Sequence, residues 1–106
     1  MFARTVSFHL KPGLAGEFSR LLEQDILPIL RKQKGFQDEI TLIAADRAQA
    51  IGISLWELPE HAEAYARDAY ASVVKALEHV VLGTPLVQVY ELASSTLHSA
   101  VPVRAI

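Results

Sequence analysis

Three observations predict an α+β fold of the ferredoxin-like kind, βαββαβ with a four-stranded antiparallel sheet. One strand–helix–strand unit is written twice, from residues 5–10 to 40–43 and again from 51–56 to 86–90. Apolar residues alternate with polar ones in the strand segments and recur at spacings of three and four between them. The length, 106 residues, suits a single domain with one core. Right-handed crossovers then lay both helical stretches on one face of the sheet.

The first strand is expected over residues 3–11, where Val6, Phe8 and Leu10 alternate with Thr5, Ser7 and His9. Pro12-Gly13 stops it. A helix follows over residues 15–34, with Phe18, Leu21, Leu22, Ile26, Ile29 and Leu30 forming one apolar stripe. Pro28 removes the bond to the carbonyl of Gln24 and predicts a kink. Gly35 is placed to end the helix in the left-handed region. Strands over 36–45 and 50–58 flank a short turn at Asp46-Arg47-Ala48. Pro59 opens the second helical stretch, with Glu60 and Glu63 complementing its dipole. That stretch is expected to run to about residue 81 with a break near 68–72, and Gly83-Thr84-Pro85 to end it. The last strand covers 86–93. The domain is thus 3–93, followed by an extension, 94–106, whose Leu97, Val101, Val103 and Ile106 suit docking on a partner.

Two helices cover one sheet face only. Parity assigns Val6, Phe8 and Leu10, with Ile51, Ile53 and Leu55, to the helix side. The other face then carries Thr5, Ser7, His9, Thr41, Ile43, Ser54, Trp56, Gln88, Tyr90 and Leu92. That set is too apolar for a wetted sheet and predicts a homodimer through the sheet face.

Composition narrows the function classes. The chain has no cysteine, so it has no disulfide and no thiolate ligand, as befits a cytoplasmic protein. Its formal charge is −2, and its basic cluster, Arg31, Lys32 and Lys34, sits where a helix end favours cations, so no nucleic-acid partner is expected. No apolar run of about 18 residues is present, so no membrane span is expected, and the N-terminus lacks a signal-peptide core. The four histidines are scattered without metal-ligand spacing, and no metal site is expected. The candidates for chemistry are few. His9 can act as a base near neutrality or bond across an interface. Trp56 can stack on an aromatic ligand or anchor a dimer core. Tyr65 and Tyr70 can present hydroxyls to a cleft or simply pack.

The runs Leu27-Pro28-Ile29-Leu30-Arg31-Lys32-Gln33-Lys34-Gly35-Phe36, Leu55-Trp56-Glu57 followed by Ala64-Tyr65, and Gly83-Thr84-Pro85-Leu86-Val87-Gln88-Val89-Tyr90-Glu91 resemble antibiotic-biosynthesis-monooxygenase-like domains. The resemblance covers about residues 3–93. It implies the dimeric α+β barrel, in which two ferredoxin-like monomers pack their sheets together. It also implies a cytoplasmic homodimer that binds a small aromatic or quinone-like molecule, with cofactor-independent monooxygenase chemistry. The alternative is a non-catalytic ligand-binding or structural dimer of the same fold. On this reading Tyr65 and His9 are the catalytic candidates, Trp56, Tyr70 and Phe8 contact the ligand, and no cofactor is needed. The family's haem degraders use an Asn on the first strand. This chain contains no asparagine, and haem degradation is not expected.

Overall fold

The computed structural model describes residues 1–97. Strand β1 (Phe2–Leu10) lies inside a four-stranded sheet of order β2-β3-β1-β4, with β2 (Phe36–Ile43), β3 (Gln49–Trp56) and β4 (Val81–Glu91). Every neighbouring pair is antiparallel. The first crossover is helical throughout: α1 (Ala15–Leu21), a π-helical stretch (Leu22–Ile26) and α2 (Leu27–Arg31). The second is α3 (Pro59–Asp68) and α4 (Tyr70–Leu77), broken at Ala69 as the sequence predicts. Leu97 is 79% exposed, whereas Val101, Val103 and Ile106, expected to dock, fall outside the described residues.

The predicted kink at Pro28 takes the form of the π stretch. Pro28 is in the first turn of α2, directly after the wider turns of Leu22–Ile26. The wider turn accommodates a residue that has no N–H to return to Gln24 and whose ring would crowd that carbonyl in a regular helix. Gly35 has φ +78. A Cβ there would fall 1.9 Å from Nδ1 of His61, so this turn needs glycine for its conformation and for its clearance.

Two expectations are corrected. The last strand begins at Val81, not 86, and the helix before it ends at Leu77. Gly83 and Pro85 lie inside β4, where pairing with β1 shifts register between Ser7 and His9. Gly83 takes φ +69 there, and the irregularity absorbs a proline that a regular ladder would not admit. The second correction is the face of β3. Phe8 pairs with Ala50, Val6 with Gly52, Arg4 with Ser54 and Phe2 with Trp56. Cross-strand partners share a face, so Ala50, Gly52, Ser54 and Trp56 face the helices, and Ile51, Ile53 and Leu55 face away. Thr41 and Ile43 pair with Gly52 and Ala50 and also lie on the helix side. Trp56 is 0% exposed, in the core with Phe8, Phe18, Leu30 and Tyr65.

The opposite face keeps Thr5, Ser7, His9, Gln88 and Tyr90 as expected. It adds Ile40, Leu42, Ile51 and Leu86, all exposed. Leu86 is 61% exposed. Val87 and Val89 of β4 point to the helix side yet are exposed as well. Among the described residues no helix is long and apolar enough to cross a membrane.

Candidate functional site

Small side chains on β3 open a space between sheet and helices. Gly52 sits opposite Val6 on one side and Thr41 on the other, and Ser54 opposite Arg4 and Glu39. Above them, Phe18, Leu22, Ile26 and Leu30 of the first crossover and Val73 and Leu77 of α4 complete the wall. The cavity is about 40 Å³ and almost wholly apolar in lining, well above the roughly 10–15 Å³ that one water requires. Polar groups from five elements gather at it: Arg4 on β1, Glu39 and Thr41 on β2, Ser54 on β3, Tyr65 on α3 and Tyr70 on α4.

An aromatic ladder holds this end of the site. Tyr65 stacks on Trp56 with centroids 5.2 Å apart and 27° between planes, and Phe36 meets Trp56 edge-on at 5.6 Å. The Trp56 indole N–H donates to Ser54 Oγ at 2.9 Å, and that hydroxyl donates to the Arg4 carbonyl at 3.3 Å. The Trp56 N–H is therefore satisfied where it is buried, as a core tryptophan requires. Tyr70 lies edge-on to Tyr65, centroids 6.2 Å apart.

The charges are unusual for an interior. Arg4 is 4% exposed. Its guanidinium carbon lies 4.1 Å from the Tyr70 ring centroid and 5.2 Å from that of Tyr65, so two π faces stabilise it. Among the described residues no carboxylate pairs with it. Burial pushes the Glu39 carboxyl above its usual range, against a hydrogen bond of 2.6 Å that Thr41 Oγ1 donates to Glu39 Oε2. Burial also pushes the Tyr65 hydroxyl up to about 12, with Arg4 opposing. Tyr70 moves the same way by burial, opposed by the nearby Arg4 charge and by the Arg4 guanidinium within hydrogen-bonding reach of the Tyr70 oxygen. Its hydroxyl is buried and has no aligned hydrogen-bond partner.

Of the residues singled out in the sequence, Phe8, Tyr65 and Tyr70 line the cavity. Trp56 stands behind Tyr65 and supports its ring. His9 is exposed on the opposite sheet face, paired with Gln49 and Leu82, and does not line this cavity. Sequence reading missed Arg4, Glu39, Thr41 and Ser54. Arg4 had a signal, since it occupies the helix-side parity of Val6, Phe8 and Leu10, and a cation in a core register is worth a question. Glu39 had none, because its face follows from a pairing with β3 that local pattern did not reveal.

No protein-family model and no curated protein matches the chain. Solved structures do. A monooxygenase from Streptomyces coelicolor, crystallised with nanaomycin D, superposes with TM-score 0.77 at 18% identity, covering 92% of this chain and 92% of that one. SnoaB, a cofactor-independent oxygenase from Streptomyces nogalater, in a mutant form, gives TM-score 0.72 at 16% identity over 92% of this chain and 97% of that one. A protein of unknown function from Nitrosomonas europaea gives 0.75 at 17% identity over 92% and 93%. The fold is that of antibiotic-biosynthesis-monooxygenase-like domains.

Proposed function

Starting from a domain of the antibiotic-biosynthesis-monooxygenase-like fold, we propose that this chain binds a small phenolic or quinone-like ring in the cavity between sheet and helices, and oxygenates it with dioxygen. The observation that carries the reading is the gathering of Glu39, Arg4, Tyr65 and Tyr70 at one apolar cavity. Glu39 takes the acidic proton of the ring, a task suited to a carboxylate whose pKa burial has raised. Tyr65, neutral at every ordinary pH, donates a hydrogen bond to a ring oxygen. The ionised ring supplies the electrons. A C–O bond forms at the ring carbon para to the oxygen and that carbon loses its proton. The O–O bond then breaks, and the far oxygen leaves as water. With α-naphthol the products are naphthoquinone and one water per dioxygen. The apolar walls exclude bulk water from the ionised ring.

The chain also functions, on this reading, as a homodimer through the open sheet face, where Ile40, Leu42, Ile51, Leu86 and Tyr90 are exposed together. The absence of cysteine supports a cytoplasmic setting. The small cavity favours a second reading, a non-catalytic binding dimer. Incubation with α-naphthol under isotopically labelled dioxygen separates the two. Labelled naphthoquinone from the wild type, and its loss in Glu39→Gln, is the expected result. Binding without any turnover selects the second reading.

A further inference from the structure

Arg4 and Tyr70 present the same unanswered question at the same place. A guanidinium taken out of water is destabilising unless an anion faces it, and Arg4, with its 4% exposure, has two aromatic faces but no carboxylate among the described residues. The Tyr70 hydroxyl is buried beside it, its oxygen within reach of the guanidinium, and its own proton has no aligned acceptor. Buried donors without partners are rare in native folds, and each calls for an explanation. Both donors line one cavity, whose remaining wall is aliphatic and aromatic. The acid that shares the cavity, Glu39, is already engaged by Thr41.

We infer that Arg4 and Tyr70 form an oxyanion subsite, which favours the ionised ligand, a phenolate or enolate formed when Glu39 takes its proton, and holds the charged oxygen by hydrogen bonds from guanidinium and hydroxyl. This rests on the reading of the cavity as an aromatic site and adds which form of the ligand it selects. The ring lies against Phe8, and its ionised oxygen faces Arg4 and Tyr70 together with the Tyr65 hydroxyl. A neutral ring that cannot ionise leaves both donors unanswered and binds weakly.

The test uses 4-nitrophenol, colourless when neutral and yellow when ionised, and 4-nitroanisole, the same ring with its oxygen methylated. The full chain is titrated with each across the solution pKa of the phenol. The bound phenol is expected to ionise at least about one pH unit lower than the free one, which means about tenfold tighter binding of the anion. Arg4→Met should bring the bound titration back to that of free phenol, and Tyr70→Phe should recover part of the shift. Circular dichroism reports whether each variant is folded, and Arg4→Lys, which keeps the charge but not the fork, should retain part of the shift if Arg4→Met does not fold. An unshifted titration of phenol bound to the wild type overturns the inference. If nitroanisole binds as well as the phenol in that case, the aromatic cavity survives and only the oxyanion subsite fails. Binding of neither compound overturns both. A shift that persists unchanged in Arg4→Met also overturns the assignment.

Discussion

Tyr65 illustrates how one residue couples stability to chemistry. Its hydroxyl ionises only near pH 12 in the fold, against about 10 when exposed. The folded-state pKa is raised, so the folded chain holds the proton longer than the unfolded one. The associated stability is complete below pH 10 and is lost as pH rises toward 12. Tyr65→Phe keeps the ring on Trp56 and should flatten this alkaline slope, by roughly 3 kcal/mol across the window, in denaturant melts at stepped pH. Glu39 has the same sign at lower pH: its raised pKa makes stability fall as pH climbs above the usual carboxylate range. The proposed activity has the opposite dependence, because Glu39 must be ionised to act as its base. Thr41→Val removes the hydrogen bond that holds the Glu39 pKa down, so the acid limb of kcat/KM should move to higher pH. Glu39→Gln should cost about 10²–10⁴ in rate, the usual value of a positioned base, with the fold intact by circular dichroism.

At the scale of the element, the crossover after β1 and the turn after α2 carry the information. The π stretch lets Leu22, Ile26 and Leu30 line the cavity despite Pro28. Gly35 then turns the chain into β2 with His61 against its α-carbon. Gly35→Ala should destabilise by about 1–3 kcal/mol from the left-handed backbone, and by more from the clash. Removing the ring in Gly35→Ala/His61→Ala should recover only part of the clash, since the His61 Cβ would still lie 2.7 Å from the added one, and leave the backbone portion, a coupling that a thermodynamic cycle measures directly. Trp56→Ala should cost about 3–5 kcal/mol, since the indole is fully buried and its N–H meets Ser54. The sequence read these elements well wherever punctuation was local, at Pro12-Gly13, Gly35 and Pro59. It placed the start of β4 five residues late, because Gly83 and Pro85 resemble a helix stop and serve here as an irregularity inside a strand.

For the whole molecule, the open sheet face carries the proposed dimer. Ile40, Leu42, Ile51, Leu86 and Tyr90 expose apolar surface on one side of the sheet, and Val87 and Val89 do so on the other side of β4. A stable dimer generally buries about 1,200–2,000 Å² in total. Leu86→Glu should leave the monomer folded, since Leu86 is well exposed in it, and should shift sedimentation equilibrium from dimer to monomer by placing a charge in an apolar contact. A wild type that sediments as a monomer at micromolar concentration would remove the dimer from the proposal.

Element order, the helix break near Ala69 and the glycine turn at Gly35 were all determined by the sequence itself, because each rests on neighbours a few residues apart, and the antiparallel sheet followed from that order and the handedness of crossovers. The tertiary structure alone decided which side of β3 meets the helices. Both sides of that strand are apolar enough to be core, Ile51, Ile53 and Leu55 more so than Ala50, Gly52 and Ser54. Hydrophobicity therefore favours the wrong side, and pairing with β1 and β2 overrules it. The candidate site inherits that dependence. Arg4, Glu39, Ser54 and Tyr70 come from four separate elements, and only the register of the strands, together with the docking of the second crossover, brings a buried cation, a shifted acid and an unpartnered hydroxyl to one cavity.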